Sequence, residues 1–187
     1  RQIRQIDSLA RSGIDLLVVA PNETEPLSAA IARVRKKGIP VVYFDRKAKT
    51  DDYTAFIGGS NVEAGQTVGN YVIGLAKGLS LQRRVRVVEV TGAMSSSPAK
   101  ERHEGFLSAM DGQEWLDYVC CEGDWTSDKA CALIAELIGT PRQPDIVFCH
   151  NDGMATGVYK AMVEKDVEGQ IQIVGIDGLP GEGLECV

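Results

Sequence analysis

Gly38-Ile39-Pro40-Val41-Val42-Tyr43-Phe44-Asp45-Arg46 is the stretch that decides the fold. Ile39 to Phe44 reads as a strand, apolar without alternation, the pattern of a strand covered on both faces. Gly38 closes the helix before it. That helix is expected from about Glu25 to Lys37, with Leu27, Ala30, Ile31 and Val34 on one face. A helix feeding an all-apolar strand is half of a parallel α/β unit. Upstream lie a helix over Arg1 to Ser12, stopped by Gly13, and an apolar strand over Ile14 to Ala20, ended by Pro21-Asn22. Downstream, a polar hairpin-like stretch leads into a short strand over Tyr53 to Ile57.

The alternation then repeats. Helices are expected over Val62 to Lys77, Ser97 to Met110, Ser127 to Ile138 and Gly153 to Lys165. Strands are expected over Val85 to Val90, Leu116 to Glu122, Asp145 to His150 and Ile171 to Ile176. Gly58-Gly59-Ser60-Asn61 reads as a boundary, because a self-sufficient, helix-first α/β unit begins after it. Two lobes follow: residues 1–59 as a partial N-terminal lobe and residues 60–187 as a C-terminal lobe. The chain opens on a helix with no strand before it and closes just after a strand and turn, so it reads as a fragment.

The 187 residues are 44% hydrophobic and 25% charged, enough apolar material for a packed core. A formal charge of −6, with Arg83-Arg84-Val85-Arg86 the only dense basic cluster, disfavours a nucleic-acid partner. No apolar run approaches the ~20 residues that span a bilayer. Cys120, Cys121, Cys131, Cys149 and Cys186 show no C-x-x-C spacing and read as ordinary buried or half-buried thiols. Cys120 and Cys121, adjacent on a strand, would point to opposite faces, which argues against a shared metal. An odd cysteine count sits slightly better with a cytosolic setting than with an exported one.

Ligands of open α/β sheets bind beyond the carboxyl ends of the strands. Asp45-Arg46, Glu122 to Trp125, His150-Asn151-Asp152 and Asp177-Gly178 all stand at such ends. Asp45 and Asp177 offer acceptors, Arg46 and Arg102 planar donors, and Asn151 both. Trp125 could cover the C–H face of a sugar ring. That mixture suits a neutral polyol, whose hydroxyls both donate and accept. Each residue also has an ordinary reading. The aspartates could form turns, Asn151 could cap the following helix, Arg102 could be solvated, and Trp125 could be core. The loop Gly92 to Ser97 lacks the glycine pattern and lysine of a phosphate cradle. His103 and His150 show no nucleophile or metal partner in the sequence. No catalytic residue, cofactor or metal is expected.

The same segments resemble a known family. Asp15 to Asn22, Gly38 to Arg46, Ile57 to Asn61, Ala99 to Phe106, His150 to Ala155 and Val174 to Gly178 are similar, in order and spacing, to the ribose-binding-protein family of type I periplasmic binding proteins. The resemblance covers essentially the whole chain. It implies an α/β fold of two Rossmann-like lobes with parallel sheets, joined by three crossing strands and clamping a sugar between them. It places the sugar ligands on Asp45, Arg46, Arg102, Trp125, Asn151 and Asp177. It also implies that the family's first strand and C-terminal return segment are missing, which would weaken binding by the fragment.

Asp45-Arg46-Lys47, Asp51 to Gly58 and Gly175 to Gly181 further resemble the periplasmic sensor domains of hybrid two-component histidine kinases from gut Bacteroidetes. That likeness implies lobe closure around a pentose or a ketohexose such as fructose, signalled through a homodimer. It implies attachment to the inner membrane through segments outside this chain. The alternatives are a sugar-binding protein of an ABC transporter, the effector-binding core of a lactose-repressor-type regulator, and an enzyme of the doubly wound class.

Overall fold

A computed structural model describes residues 1–181 and 183; Cys186 and the closing Leu184 to Val187 lie outside the described residues. By internal contacts the chain divides into two units, one of Arg1–Ser60 with Ser95–Lys100, the other of Asn61–Met94 with Glu101–Val187.

The first unit contains helices α1 (Gln2–Arg11) and α2 (Thr24–Lys36) and strands β1 (Leu17–Val19), β2 (Val41–Phe44) and β3 (Ala55–Ile57). The strands form a parallel sheet in the order β1-β2-β3, with Val19 opposite Tyr43 and Tyr43 opposite Phe56. Leu27, Ala30, Ile31 and Val34 of α2 recur at helical spacing and meet Leu17, Val19, Val41 and Tyr43 in one core, which Ile6 of α1 joins.

Two expectations change here. Ile14 to Ala20 pairs over only Leu17–Val19, and its burial alternates, with Val18 exposed between buried Leu17 and Val19. Among the described residues of this unit, both helices contribute to the core on one sheet face. Val18, Phe44 and Ile57, whose side chains point the other way, are 59%, 55% and 57% exposed. The stretch between β2 and β3 is not a hairpin, because the two strands run parallel. The chain must therefore travel back along the sheet. Lys49 N donates to Thr24 O, buried Ala48 joins the core, the Tyr53 ring packs 4.9 Å from that of Tyr43, and Thr54 Oγ1 accepts from Val41 N.

The second unit contains α3 (Asn61–Gly78), β4 (Val85–Thr91), α4 (Ser97–Met110, from Glu101 onward), β5 (Leu116–Glu122), α5 (Ser127–Ala135), β6 (Ile146–Cys149), α6 (Asp152–Glu164) and β7 (Gln172–Val174). Its sheet is parallel throughout, in the order β5-β4-β6-β7. Both faces are covered, as the continuous apolar strands require. Val88, Val90, Val147 and Cys149 pack with residues of α5 and α6 on one face. Val85, Val87, Ile146 and Phe148 pack with Val72, Ile73 and Phe106 on the other. α5 ends at Ala135, short of the expected Ile138. There Leu137 N bonds Ile134 O, Thr140 N bonds Leu137 O, and Gly139 turns the chain at φ 75°.

Candidate sugar site

Arg102 organises the second unit's strand ends. α3 and α4 touch backbone to backbone. A Cβ on Gly65 would lie 2.0 Å from Arg102 O, and one on Gly105 would lie 2.0 Å from Val62 O. Glycine at both positions lets α4 approach closely enough to carry the Arg102 side chain over the sheet end. The guanidinium is then tied down on several sides. Nε donates to Asn61 Oδ1 at 2.9 Å, Nη1 donates to His150 O, and Nη2 stands 3.7 Å from Asp177 Oδ1. Its carbon lies 5.7 Å from the centre of the Trp125 ring, within cation–π range. The side chain is 13% exposed, so Arg102 is not a solvated helix residue.

Trp125 is partly core, packed against the α5/α6 cluster. Its ring also presses on Gly92, where a Cβ would come within 2.0 Å of ring carbon Cε2. Asn151 is the N-cap of α6: its Oδ1 accepts from Met154 N at 2.9 Å while Nδ2 donates to Trp125 O at 3.5 Å. Asp152, 4% exposed, accepts from Leu179 N at 2.7 Å and so anchors the loop that carries Asp177. Arg102, Trp125, Asn151 and Asp177 thus share one cluster. Asp45 and Arg46 form a separate pair in the first unit, Arg46 Nε standing 3.5 Å from Asp45 Oδ2, with Asp45 N bonded to Ile57 O at the end of β3.

Backbone strain marks the same places. Asp45, Trp125 and Asp177 have φ of 63°, 64° and 109°, and Asp124 beside Trp125 has 54°. The other described non-glycine residues with positive φ, Ser80 and Asp166, follow the ends of α3 and α6, where a left-handed residue is ordinary. Strain of about 1–3 kcal/mol per residue persists where structure over-determines it, typically at binding sites.

Below this cluster lies a network that the sequence reading missed. Glu89, at the middle of β4, is fully buried. Its Oε1 accepts from His150 Nε2 at 2.8 Å, and its Oε2 accepts from His103 Nδ1 at 2.8 Å and from the Tyr118 hydroxyl. Burial pushes the Glu89 carboxyl up, but the hydrogen bonds from His150 and Tyr118 outweigh it and hold it below its usual value. Burial pushes the His150 imidazole down, so it is neutral. Its tautomer is set, since Nδ1 accepts from Gly92 N at 3.3 Å while Nε2–H donates to Glu89. His103 and His150, which showed no partner in the sequence, therefore share one. The available signal was an acidic residue inside the apolar run Val87-Val88-Glu89-Val90.

The cysteines also need a correction. Cys131 and Cys149 are buried and Cys121 is half-buried, but Cys120 is exposed, because β5 is the edge strand of its sheet. Desolvation, with the Glu89 charge second, pushes the Cys120 thiol up to about 11, so it is no ready nucleophile.

Two parallel α/β units with polar, strained strand ends define a binding-protein architecture. Residues 1–183 match the periplasmic binding protein domain family, and the chain belongs to it. The ribose import binding protein of Haemophilus influenzae is 26% identical over 187 residues, covering 100% of this chain and 61% of its own length. The D-allose-binding periplasmic protein of Escherichia coli is 29% identical, covering 96% and 59%. Among solved structures, the fructose-binding periplasmic domain of the hybrid two-component system BT1754 superposes with a TM-score of 0.91 at 35% identity, over 100% of this chain and 61% of that one. The binding protein of the arabinose ABC transporter from Shewanella sp. ANA-3, bound to L-arabinofuranose, gives 0.85 at 25% identity over 96% and 61%. The chain thus spans about three fifths of the length of these relatives. The expected fold class, α/β with parallel sheets of the type I periplasmic-binding-protein kind, is the observed one.

Proposed function

We propose that the chain is the sugar-binding part of a periplasmic sensor domain of a hybrid two-component histidine kinase, signalling by closure of its two lobes on a neutral sugar. Residues 1–59 and 60–187 are the lobes of this reading. Its sugar-binding residues are Asp45 and Arg46 in the first and Arg102, Trp125, Asn151 and Asp177 in the second. The observation that carries it is the fixed Arg102 guanidinium, flanked by Asp177 and by the Trp125 ring. A planar donor, a carboxylate and an aromatic face are what a pentose or ketohexose ring needs: hydrogen bonds at its rim and an apolar cover for its C–H face. Opposite charges in each pair keep the site near neutral, which suits an uncharged ligand.

The sensor role rests on the likeness to the fructose-binding domain of a hybrid two-component system. A second reading, the sugar-binding component of an ABC transporter, is favoured by the sequence identity to the ribose and allose binding proteins. Calorimetric titration of the complete domain encoded by the gene against pentoses and ketohexoses, with small-angle scattering before and after saturation, tests the proposal. Saturable binding of one neutral sugar with a fall in radius of gyration is expected. Binding of none would refute it. The reading frame of the gene separates the two roles: a membrane span followed by kinase motifs marks the sensor, and a stop codon without them the transporter component.

A further inference from the structure

On the α3/α4 face of the second sheet, three unlike donor groups meet. Glu89 and Cys120 are register partners on adjacent parallel strands, with their side chains on the same face. α4 lays His103 against both. One carboxylate oxygen, one imidazole nitrogen and the thiol sulfur lie within 4.8 Å of one another. The cluster is closed behind and open in front: Glu89 is fully buried, the His103 side chain is 23% exposed, and Cys120 is exposed.

We propose that Glu89 Oε2, His103 Nδ1 and Cys120 Sγ form a three-ligand site for a zinc-class divalent transition metal, with the fourth position open to water. A mixed oxygen, nitrogen and sulfur set suits a borderline-soft, four-coordinate ion and is a poor one for magnesium or calcium, which require oxygen. Metal–ligand bonds of roughly 2.0–2.3 Å put the ligand atoms about 3–4 Å apart in a tetrahedron, a spacing side-chain rotation reaches from the one observed.

The protons balance without further change. The metal takes the Oε2 lone pair that the His103 proton now occupies, and that proton moves through solvent to His103 Nε2. The Cys120 thiol releases its proton to water. A carboxylate, a thiolate and a neutral imidazole then face a 2+ ion, leaving the site neutral. The supporting shell is already built. The His150 Nε2–H bond to Oε1 and the Tyr118 hydroxyl on Oε2 aim the carboxylate, as outer-shell partners do in protein metal sites.

The test is titration of the chelator-stripped protein with zinc, and with cobalt(II) as the spectroscopic probe. Uptake of one equivalent is expected, with a tetrahedral cobalt spectrum and a thiolate-to-cobalt charge-transfer band that zinc abolishes. Cys120→Ser should remove that band and weaken zinc binding at least tenfold, and His103→Gln should weaken it similarly. Tyr118→Phe should weaken it by roughly 10–100-fold through the outer shell. All are read on protein whose circular dichroism matches wild type. Cys121→Ser, whose side chain faces the opposite side of the sheet, should change nothing. A wild-type protein without the charge-transfer band overturns the proposal. So does a Cys120→Ser protein that keeps the band or binds zinc as tightly as wild type.

Discussion

Arg102 Nη2 stands 3.7 Å from Asp177 Oδ1, joining helix α4 to the loop after β7. The two residues are far apart in sequence, and each is held from elsewhere: Arg102 by Asn61 and His150 O, and the Asp177 loop by Asp152 through Leu179 N. A donor and an acceptor fixed separately keep their geometry before any ligand arrives. Such preorganisation reduces the ordering cost of binding.

The contact between Trp125 and Gly92 is the first point to probe. A methyl group at residue 92 would lie 2.0 Å from ring carbon Cε2, so Gly92→Ala must move the indole or the strand end. Overpacking of this kind costs about 1–3 kcal/mol. Chemical denaturation should show that loss, and the tryptophan fluorescence of the folded protein should shift. Unchanged stability and emission would mean the ring is not held against residue 92.

Acid stability depends in part on Asp145. It receives Arg83 Nη1 and Nη2, both at 2.7 Å, and Arg86 N at 2.8 Å. Burial raises its carboxyl, but the Arg83 and Arg86 hydrogen bonds outweigh that and hold it below the usual aspartate value. A depressed folded value contributes stability that is complete above the unfolded value, near ~3.9, and is lost as pH falls through the folded one. Asp145→Asn should therefore lower Tm at neutral pH and flatten the decline of Tm below about pH 4. Parallel Tm–pH curves for the two proteins would contradict this.

The open face of the first sheet makes a third prediction. Val18, Phe44 and Ile57 expose apolar surface on neighbouring parallel strands. Contiguous apolar surface of this kind binds hydrophobic dyes and promotes association. The 187-residue chain should bind such a dye in its native state, and the double substitution Val18→Thr, Phe44→Thr should reduce the signal severalfold. Equal fluorescence from both proteins would show that this face is covered.

The sequence made some of this legible and concealed the rest, for physical reasons. Strand and helix order followed from period and punctuation, and α4 and β5 were bounded at the residues observed. Local pairing was harder to read. The polar stretch from Lys47 to Asp52 looks like a hairpin, yet it returns the chain to a parallel strand, as the β2–β3 pairing and the Tyr43–Tyr53 and Thr54–Val41 contacts show. Strand-end position pointed to Trp125, Asn151 and Asp177, while Arg102 reaches them from the middle of helix α4. It could not find Asn61, which meets Arg102 from a helix start, or Glu89, whose partners come from β5, α4 and the residue just after β6. Hydrogen-bond networks assembled from distant segments leave little trace in one dimension; the trace here was one acidic residue in the apolar run Val87 to Val90.

Calorimetric titration of the cognate sugar into the complete domain encoded by the gene, wild type and Asp177→Ala, tests the central claim most directly. Removing the carboxylate leaves the Arg102 guanidinium without one of its partners and, on the proposed function, the sugar without an acceptor. Affinity should fall by about 1.5–3 kcal/mol, the worth of one hydrogen bond to a charged group. An Asp177→Ala protein that binds the sugar as tightly as wild type would contradict the account.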